Sequence, residues 1–585
     1  MLTVGIFVVA TAFVLLFAWY TSRDVDKDDK SGFFLGGRSL TAGVIAIGLL
    51  LSNTSATHFV GFAGDTWWGN LSTIGFDLVS GLCIVVSALY LIPRYLKQGV
   101  TTMHDFLEQR YDRQTKSLAT WIIIFAYMAN MLPITLYSGS VVLVQLFHID
   151  QVLGVDFIVA IILCVVCIAI FGCIYALYGG LKMVATADII NGAMLLIGGA
   201  LVVIFGFKYL GDGEIVSGVT QVFTQHTEKL NAIGSPTDIN PWATNLTGVF
   251  LLCMYFWGMD QAILQRAVSA KNLKHGQKGL LWAGFLKVLD PLLLMIPGLI
   301  AYQVFAKEGI MLDGSRDLVY STLVNIVMPK PLLGLFAAAM FGAVLSTFSG
   351  LLNSQTTLIA VNVIAPRKKG GMDDGQLVSV GKKCGVVIAI VAAIIAPILY
   401  YTPSGIFSYL QMINGFTNVP ILIMLGVGYL NKRVPAFAAK MGAFIHIIGY
   451  LLSFVLYPNM NYLHRIGINF VIAVVFMLIM GVLRPKEDVF ELKNAHVVKM
   501  VPWKYRYEFS AFLVAIVVSF YILCSPLGFV GGLTSMTWVY LAVGIVASVV
   551  LMMVVKKLCA KSEAVFYADC EEEEGAPVCK TAVMD

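Results

Sequence analysis

The sequence predicts an all-α polytopic membrane protein. Of its 585 residues, 58% are hydrophobic and only 12% are charged, and the mean hydropathy is +0.84. Hydrophobic runs long enough to cross a bilayer recur along the chain, and Lys and Arg are concentrated in alternate loops between them. So much apolar surface excludes a soluble globular protein.

Each hydrophobic run predicts one transmembrane span, because a helix needs roughly 20 apolar residues to cross the hydrocarbon core. The sequence predicts fifteen spans, near residues 2–21, 40–64, 74–95, 118–147, 153–178, 183–209, 243–268, 281–306, 332–364, 378–400, 404–428, 434–457, 463–484, 507–525 and 533–556.

The distribution of basic residues predicts the orientation. Of the 39 Lys and Arg, 32 lie in or beside the loops that follow odd-numbered spans, and six lie in the opposite loops. Positive residues stay in the cytosol, so we expect an integral protein of the cell membrane with its N-terminus outside and its C-terminus in the cytosol. The net charge of +5 comes from these loops, and no basic cluster interleaved with aromatic residues indicates nucleic acid.

The second span is interrupted. Residues 51–64 read Leu-Ser-Asn-Thr-Ser-Ala-Thr-His-Phe-Val-Gly-Phe-Ala-Gly, with hydroxyls, an amide and an imidazole where a membrane helix stays apolar. A break here would leave backbone carbonyls and half-helix ends at mid-membrane depth, where they can bind a small cation and a polar solute. The pattern indicates a transporter.

The seventh span shows a similar interruption, in Tyr255-Phe256-Trp257-Gly258-Met259-Asp260-Gln261. Spans two to six and seven to eleven would then form two five-helix repeats in opposite orientations, each opened by a broken helix. The predicted divisions are an extra N-terminal helix and loop (1–39), the first repeat (40–209), the second repeat (210–430), about four accessory helices (431–560) and an acidic cytosolic tail (561–585).

Ionisable residues inside spans are candidates for function, because each costs about 2.5–3.5 kcal/mol at the helix centre. These residues are Asp77, Asp188, Asp260, Arg266, Lys287 and Asp290. For two of them a structural role is an alternative: Arg266 would lie at the cytosolic surface, and Asp290 would pair with Lys287 one turn away.

The ninth span carries hydroxyls at Ser346, Thr347 and Ser349, between Gly342 and Gly350. Neutral hydroxyls and freed carbonyls are hard oxygen ligands of the kind that sodium needs. The alternative is that these hydroxyls bond to carbonyls one turn earlier and ease close helix packing. Together with the broken second span, the pattern favours cation binding.

These motifs resemble a known family. The stretch Ser52-Asn53-x-Ser55-x-x-His58-Phe59-Val60-Gly61-x-Ala63-Gly64 is similar to the first core helix of the solute:sodium symporter family, especially its sodium/glucose and sodium/galactose cotransporters. Further stretches agree in the family's order: Leu177-Tyr178-Gly179-Gly180-Leu181 with Asp188, Trp257-Gly258 with Gln265-Arg266, Phe285-Leu286-Lys287, Ser346-Thr347, Leu352-Asn353-Ser354 and Gln411. The resemblance runs from about residue 33 to about 430 and is closest to uncharacterised bacterial members.

The resemblance implies a LeuT-like 5+5 inverted-repeat core and a bound sodium ion. The sodium ligands would be the carbonyls of Leu51, Thr54 and Ala343 and the hydroxyls of Ser346 and Thr347. Asp188 would line the ion's route to the cytosol, or bind a second ion with Ser349. Gly350 stands where two-sodium members have another serine, which favours one ion.

By the same resemblance, the solute pocket is lined by Asn53, His58, Asp77, Trp257, Lys287 and Gln411, and Phe62, Phe76, Phe256 and Phe407 act as gates. Such side chains supply the donors, acceptors and aromatic face that a sugar ring needs. Three positions depart from the family: Asp77 is shorter than the usual glutamate, Phe256 replaces a tyrosine, and Cys253 replaces an asparagine.

The sequence therefore predicts a sodium-coupled symporter that imports a small polar solute, with a sugar expected. The same architecture also carries carboxylates, amino acids, vitamins and polyols, so a non-sugar solute remains an alternative, as does a sensor or channel on the same scaffold. An intramembrane enzyme is not expected, because the chain has no HExxH, no GxSxG and no metal-spaced His pair.

Overall fold

A computed structural model of the protein describes residues 2–22, 40–99, 103–178, 180–312, 316–364, 374–402, 405–486, 490, 495 and 498–571. The side chains of a few residues within these ranges, including Asp188 and Ser52, lie outside the described part. Within it the chain is helical, and its one β-type pairing is a bridge between Leu40 and Ala270.

Twelve helices cover the first part of the chain. They are α1 (Leu2–Ser22), α2 (Ala42–Asn53), α3 (Ala56–Trp68), α4 (Gly75–Val86), α5 (Ile92–Gln98), α6 (Met103–Arg110), α7 (Arg113–Ala126), α8 (Leu132–Phe147), α9 (Ile149–Leu153), α10 (Phe157–Tyr178), α11 (Gly180–Leu210) and α12 (Ile215–Thr224). Short π-helical turns at Ser87–Leu91 and Tyr127–Met131 join α4 to α5 and α7 to α8.

The remaining helices follow a long loop. They are α13 (Gly248–Met259), α14 (Gln261–Val268), α15 (Leu273–Leu289), α16 (Pro291–Leu294), α17 (Ile296–Glu308), α18 (Val319–Val327), α19 (Lys330–Leu358), α20 (Asp374–Ile395), α21 (Ile406–Leu430), α22 (Ala436–Leu456), α23 (Tyr462–Leu483), α24 (Arg506–Leu523) and α25 (Ser535–Glu571). Short 3-10 and π turns occur at Leu71–Ile74, Thr227–Leu230, Trp242–Leu246, Arg316–Leu318, Ile359–Ile364 and Ala396–Tyr401.

Many of these helices are built to cross a membrane. In the described ranges, twelve are long and apolar enough to span a bilayer, and the bent pair α2 and α3 makes a thirteenth. Shorter apolar helices, Leu2–Ala18 and Gly248–Met259, occupy the places of the first and seventh predicted spans. An integral multi-pass protein with an all-α fold is therefore confirmed.

Both predicted helix breaks are present. The α2 and α3 axes differ by 60°, because Thr54 (φ −80°, ψ 101°) and Ser55 (φ −119°, ψ 170°) are extended. In the seventh span, Asp260 (φ −64°, ψ 133°) separates α13 from α14. The helix of the eighth span is also interrupted at Asp290, where Pro291 begins α16 without a backbone N–H to continue the helix.

The broken helices lie together in the centre of the bundle. The α14 helix packs against α2, and α2 also packs against α11 and α15. The Leu40–Ala270 bridge ties the start of α2 to the end of α14. The last helices are peripheral: the Ser535–Tyr567 span is only 17% buried, so most of its apolar surface is left to face lipid.

Candidate functional site

The break between α2 and α3 exposes backbone carbonyls inside the protein. The last bond of α2 runs from Thr54 N–H to the Leu50 carbonyl (2.8 Å), and the first bonds of α3 run from His58 and Phe59 N–H to the Ser55 carbonyl. The final carbonyls of a helix have no partner within it. Those of Leu51 and Thr54, both predicted sodium ligands, therefore lie beyond the helical hydrogen-bond pattern.

The two halves of the predicted sodium site lie against consecutive residues of α11. A Cβ built on Gly192 would stand 2.6 Å from the Leu51 side chain, and a Cβ on Gly342 would overlap Asn191. The end of α2 and the Gly342 turn of α19 therefore both approach α11 closely. Ala343, the next predicted ligand, follows Gly342 directly and is buried.

The hydroxyls of the ninth span lie one turn further along α19. Ser346 and Thr347 are half-buried and Ser349 is fully buried. The Ser349 hydroxyl donates to the Ser346 carbonyl at 3.0 Å, which is the local bond that the sequence left as an alternative. The side chain of Asp188, the predicted partner of Ser349 in a second ion site, lies outside the described residues.

A buried charge network links the third and eighth spans to the helix break. Lys287 Nζ lies 2.7 Å from Asp77 Oδ1 and 3.0 Å from Asp290 Oδ2. Thr54 Oγ1 donates to the same Asp290 Oδ2 at 3.1 Å. All four residues are at most 4% exposed. The Lys287–Asp290 pair, which the sequence left open as a structural role for Asp290, is present, and two carboxylates share a single ammonium group.

Two buried acceptors next to this network have no hydrogen-bond partner in the described protein. They are Asp77 Oδ2 and Asn53 Oδ1. A buried acceptor without a donor loses its hydration with no compensation, at about 1–3 kcal/mol. Both residues were predicted to bind the solute, and hydroxyl groups of a solute would supply the missing donors.

The α13 helix carries the aromatic side of the predicted pocket. Trp257 is buried, and its ring meets Phe256 edge-on, with 5.4 Å between centroids. Cys253 Sγ donates to the Phe76 carbonyl at 3.4 Å and accepts from Ser80 Oγ at 3.4 Å. Cys253 is therefore bound to the turn of α4 that carries Asp77, and the thiol at this family asparagine position is engaged by protein groups.

Three of the four predicted gate residues meet. The Phe407 centroid lies 4.1 Å from Phe62 and 5.0 Å from Phe76, and we call these three rings the aromatic gate. His58 lies at one edge of the gate, 5.7 Å from Phe62 and 6.1 Å from Phe407. Among the described ring contacts, Phe256 joins Trp257 and not the gate.

The other predicted solute-binding groups are held by neighbours that the sequence analysis missed. Gln411 Oε1 accepts from Asn414 Nδ2 at 3.0 Å, and Asn414 Oδ1 accepts from Asn130 Nδ2 at 3.2 Å. His58 Nδ1 lies 3.0 Å from Ser55 Oγ. These contacts fix the orientation of both side chains without occupying all of their polar atoms.

A second missed group surrounds the aromatic gate. Arg316 Nη1 lies 2.9 Å from Asp65 Oδ1, and Ser408 Oγ donates to Asp65 Oδ2 at 3.4 Å. On the other side of the gate residue, Ile406 N–H donates to Asp317 Oδ1 at 3.0 Å. The sequence signal that could have indicated this ion pair is Asp65 itself, a carboxylate directly after the predicted end of the second span at residue 64.

Arg266, expected at the cytosolic surface, lies against the middle of α2. A Cβ on Gly48 would stand 3.6 Å from Arg266 Cδ. The bridge at Leu40 closes the same side of the bundle. The second and seventh spans are therefore in contact at one end, whereas the aromatic gate connects the second, third and eleventh spans.

The sequence profile of the Sodium:solute symporter family matches residues 33–449. The uncharacterized symporter YidK of Escherichia coli (strain K12) is 40% identical over 499 residues, which cover 85% of this chain and 86% of that protein. The sodium/glucose cotransporter of Vibrio parahaemolyticus is 27% identical over 460 residues, which cover 75% of this chain and 82% of that protein. The sodium/myo-inositol cotransporter 2 of Oryctolagus cuniculus is 25% identical over 483 residues, which cover 77% of this chain and 69% of that protein.

Among solved structures, a Na+-coupled sialic acid symporter in a substrate-bound, outward-open state has the same fold. The TM-score is 0.69 at 19% sequence identity, over 83% of this chain and 99% of that one. This likeness confirms the predicted LeuT-like architecture. The profile match and the 40% identical relative go further: the chain belongs to the Sodium:solute symporter family, and it is a transporter, not an enzyme, with sodium as its coupling ion.

Proposed function

We propose that the protein imports a small neutral solute rich in hydroxyl groups, a sugar or a polyol, together with sodium. The carrying observation is the pair of buried acceptors, Asp77 Oδ2 and Asn53 Oδ1, which have no protein donor. Asp77 directly follows Phe76 of the aromatic gate, so a solute bound to it would lie beside the gate. Hydroxyl groups would satisfy these acceptors without bringing a charge into the bundle.

The charge of the network opposes an anionic solute. Lys287 is the cation that could pair with a carboxylate, but Asp77 and Asp290 already hold it at 2.7 and 3.0 Å. The three side chains carry a net charge of −1 when all are ionised, and a buried uncompensated anion beside them would cost several kcal/mol. The names of two relatives, a sodium/glucose and a sodium/myo-inositol cotransporter, support a sugar or polyol as cargo.

For sodium, we propose the carbonyls of Leu51, Thr54 and Ala343 and the hydroxyls of Ser346 and Thr347. The open carbonyls at the break and the shared approach of α2 and α19 to α11 support this set. The local bond of Ser349 supports a single ion. Sodium bound there would hold the broken second span against the ninth.

Coupling then follows from differential affinity. Sodium and solute promote each other's binding only if both prefer the same conformation, and the effect is reciprocal. Each sodium ion entering the cell releases about 2.3 kcal/mol per 100 mV of membrane potential. We place the aromatic gate on the outer side and the end near Asp188 and Arg266 on the cytosolic side, as the distribution of basic loops predicts.

Uptake into proteoliposomes tests the proposal. The purified protein would be offered labelled hexoses, polyols, sugar acids and amino acids, with an inward sodium gradient or with choline in its place. We expect sodium-dependent uptake of a neutral sugar or polyol. Sodium-driven uptake of an acid or amino acid alone would overturn the proposed cargo and pocket, and uptake independent of sodium would overturn the proposed coupling.

A further inference from the structure

Asp290 is the one residue of the network that touches both predicted sites. Its Oδ2 atom accepts from Lys287 Nζ at 3.0 Å and from Thr54 Oγ1 at 3.1 Å. Thr54 belongs to the helix break, and Lys287 holds Asp77 at 2.7 Å. We infer that Asp290 is a positioning residue that transmits sodium binding at the break to the solute-binding pair of Asp77 and Lys287.

The backbone on the ion side makes this transmission direct. Thr54 caps the end of α2 in an extended conformation, and its carbonyl and its side chain are attached to the same Cα atom. A sodium ion that draws in the Thr54 carbonyl therefore also moves or fixes the Thr54 hydroxyl. That hydroxyl donates to Asp290 across 236 residues of sequence, and this bond is buried.

On the solute side, the ammonium group of Lys287 is divided between two carboxylates. It lies 2.7 Å from Asp77 and 3.0 Å from Asp290. When Thr54 donates to Asp290, part of the negative charge of Asp290 is satisfied by the hydroxyl, which leaves Lys287 closer to Asp77. Loss of that bond strengthens the attraction between Asp290 and Lys287. The ammonium group then interacts less with Asp77, and the orientation of Asp77 Oδ2, which has no protein partner, changes.

Asp290 also lies between two helices. The α15 helix ends at Leu289, and Pro291 begins the short helix α16 before the chain continues as α17. The α16 helix packs against α3, the second half of the broken span. A displacement of α3 relative to α2 therefore reaches Asp290 through its backbone as well as through Thr54.

This inference rests on the proposed sodium and solute sites, and sodium alone is a sufficient probe for it. The protein in lipid nanodiscs would be studied by hydrogen–deuterium exchange in sodium chloride and in choline chloride at equal ionic strength. Two segments are compared: residues 46–60, which contain the break, and residues 71–86, which contain Asp77. In the wild type we expect sodium to slow exchange in both segments by about fivefold or more, the lower end of usual coupling energies.

Four variants separate transmission from structural damage. Asp290→Asn removes the charge, and Thr54→Val removes the hydroxyl but keeps the backbone carbonyl; in both, sodium should slow exchange at 46–60 only. Asp290→Glu keeps the carboxylate and should restore part of the sodium effect at 71–86. Thr57→Val is the matched control, because its buried hydroxyl bonds Ser138 at 3.0 Å, and both sodium effects should persist.

Each contrary result has its own meaning. If sodium still slows exchange at 71–86 in Asp290→Asn and Thr54→Val as in the wild type, the inference is wrong while the ion site stands. If wild-type sodium protection is confined to 46–60, Asp290 transmits nothing. If sodium drives uptake but protects neither segment, the ion lies elsewhere, and both the site assignment and the inference are overturned. If Asp290→Asn fails to fold, the effect of sodium on exchange at 71–86 in Thr54→Val tests the inference instead.

Discussion

Arg316 and Asp65 form an ion pair beside the aromatic gate, with Arg316 Nη1 2.9 Å from Asp65 Oδ1. Asp65 is 1% exposed and Arg316 13%. The second oxygen of Asp65 accepts from Ser408, the residue after Phe407. The pair thus connects the end of the broken second span, the loop before the ninth span and the gate-bearing start of α21.

We expect Arg316→Gln to destabilise the closed gate, because Asp65 would keep a buried charge without its cation. Breaking a buried pair in this way costs about 3–5 kcal/mol. The midpoint of thermal unfolding in detergent should fall clearly. Lys307→Gln is the control: Lys307 pairs with Asp212 at 2.7 Å but both are well exposed, so its loss should cost no more than about 1 kcal/mol. Equal shifts for the two variants would show that the Asp65–Arg316 pair has no special role.

Gly61→Ala should prevent the aromatic gate from closing. A Cβ at Gly61 would stand 2.6 Å from Phe407 Cβ, so α3 and α21 could not approach as they do. Gly43→Ala in α2 is a matched helical control, because a Cβ there meets nothing within 4 Å. We expect a lower maximal rate of sodium-dependent uptake for Gly61→Ala and an unchanged rate for Gly43→Ala. Normal transport by that variant would mean that gate closure does not require this contact.

The double change Ser346→Ala and Thr347→Ala should abolish sodium stimulation of uptake, because it removes both proposed hydroxyl ligands. Uptake would be measured over a range of sodium concentrations in proteoliposomes. Ser354→Ala, on the same helix, is the control: its exposed hydroxyl donates to the Gly350 carbonyl at 2.9 Å. Normal sodium dependence in a well-folded double variant would move the ion site elsewhere.

Gln411→Ala should weaken solute affinity and spare sodium binding. In the wild type, Asn414 Nδ2 donates to Gln411 Oε1 and orients the side chain, so that the amide nitrogen of Gln411 can donate to a solute. The alanine variant lacks this donor. The apparent affinity for the transported solute and for sodium would be measured separately. Gln303→Ala provides a comparison, since Gln303 bonds backbone carbonyls of Gln221 and Gln225. An unchanged solute affinity in Gln411→Ala would remove this residue from the pocket.

Several elements could be predicted because their signal is local. The break at Thr54 and Ser55 was visible as polar residues within a hydrophobic run, and the bend that follows is 60°. The second break, at Asp260, was visible in the same way. The Lys287–Asp290 pair was also predictable, since residues three apart on a helix face the same side.

Contacts between distant spans could not be read from the sequence. In a membrane bundle both the lipid-facing and the core-facing sides of a helix are apolar, so hydropathy does not report which face points inward. Asp77 was named as a solute-binding residue, but its 2.7 Å contact with Lys287 depends on how the third and eighth spans cross. The Asp65–Arg316 pair was missed for a related reason, because both residues lie outside the predicted spans.

Span length, helix breaks and motif order are local properties of the chain. A multi-pass α-helical membrane protein with broken helices could therefore be predicted from the amino-acid sequence, and its motifs indicated the symporter family. The buried network of Thr54, Asp290, Lys287 and Asp77, in contrast, becomes visible only when the helices are packed together. The Thr54–Asp290 bond joins residues 236 positions apart. Such a contact depends on the rotation and crossing of packed helices, and these are set by close packing across the whole bundle.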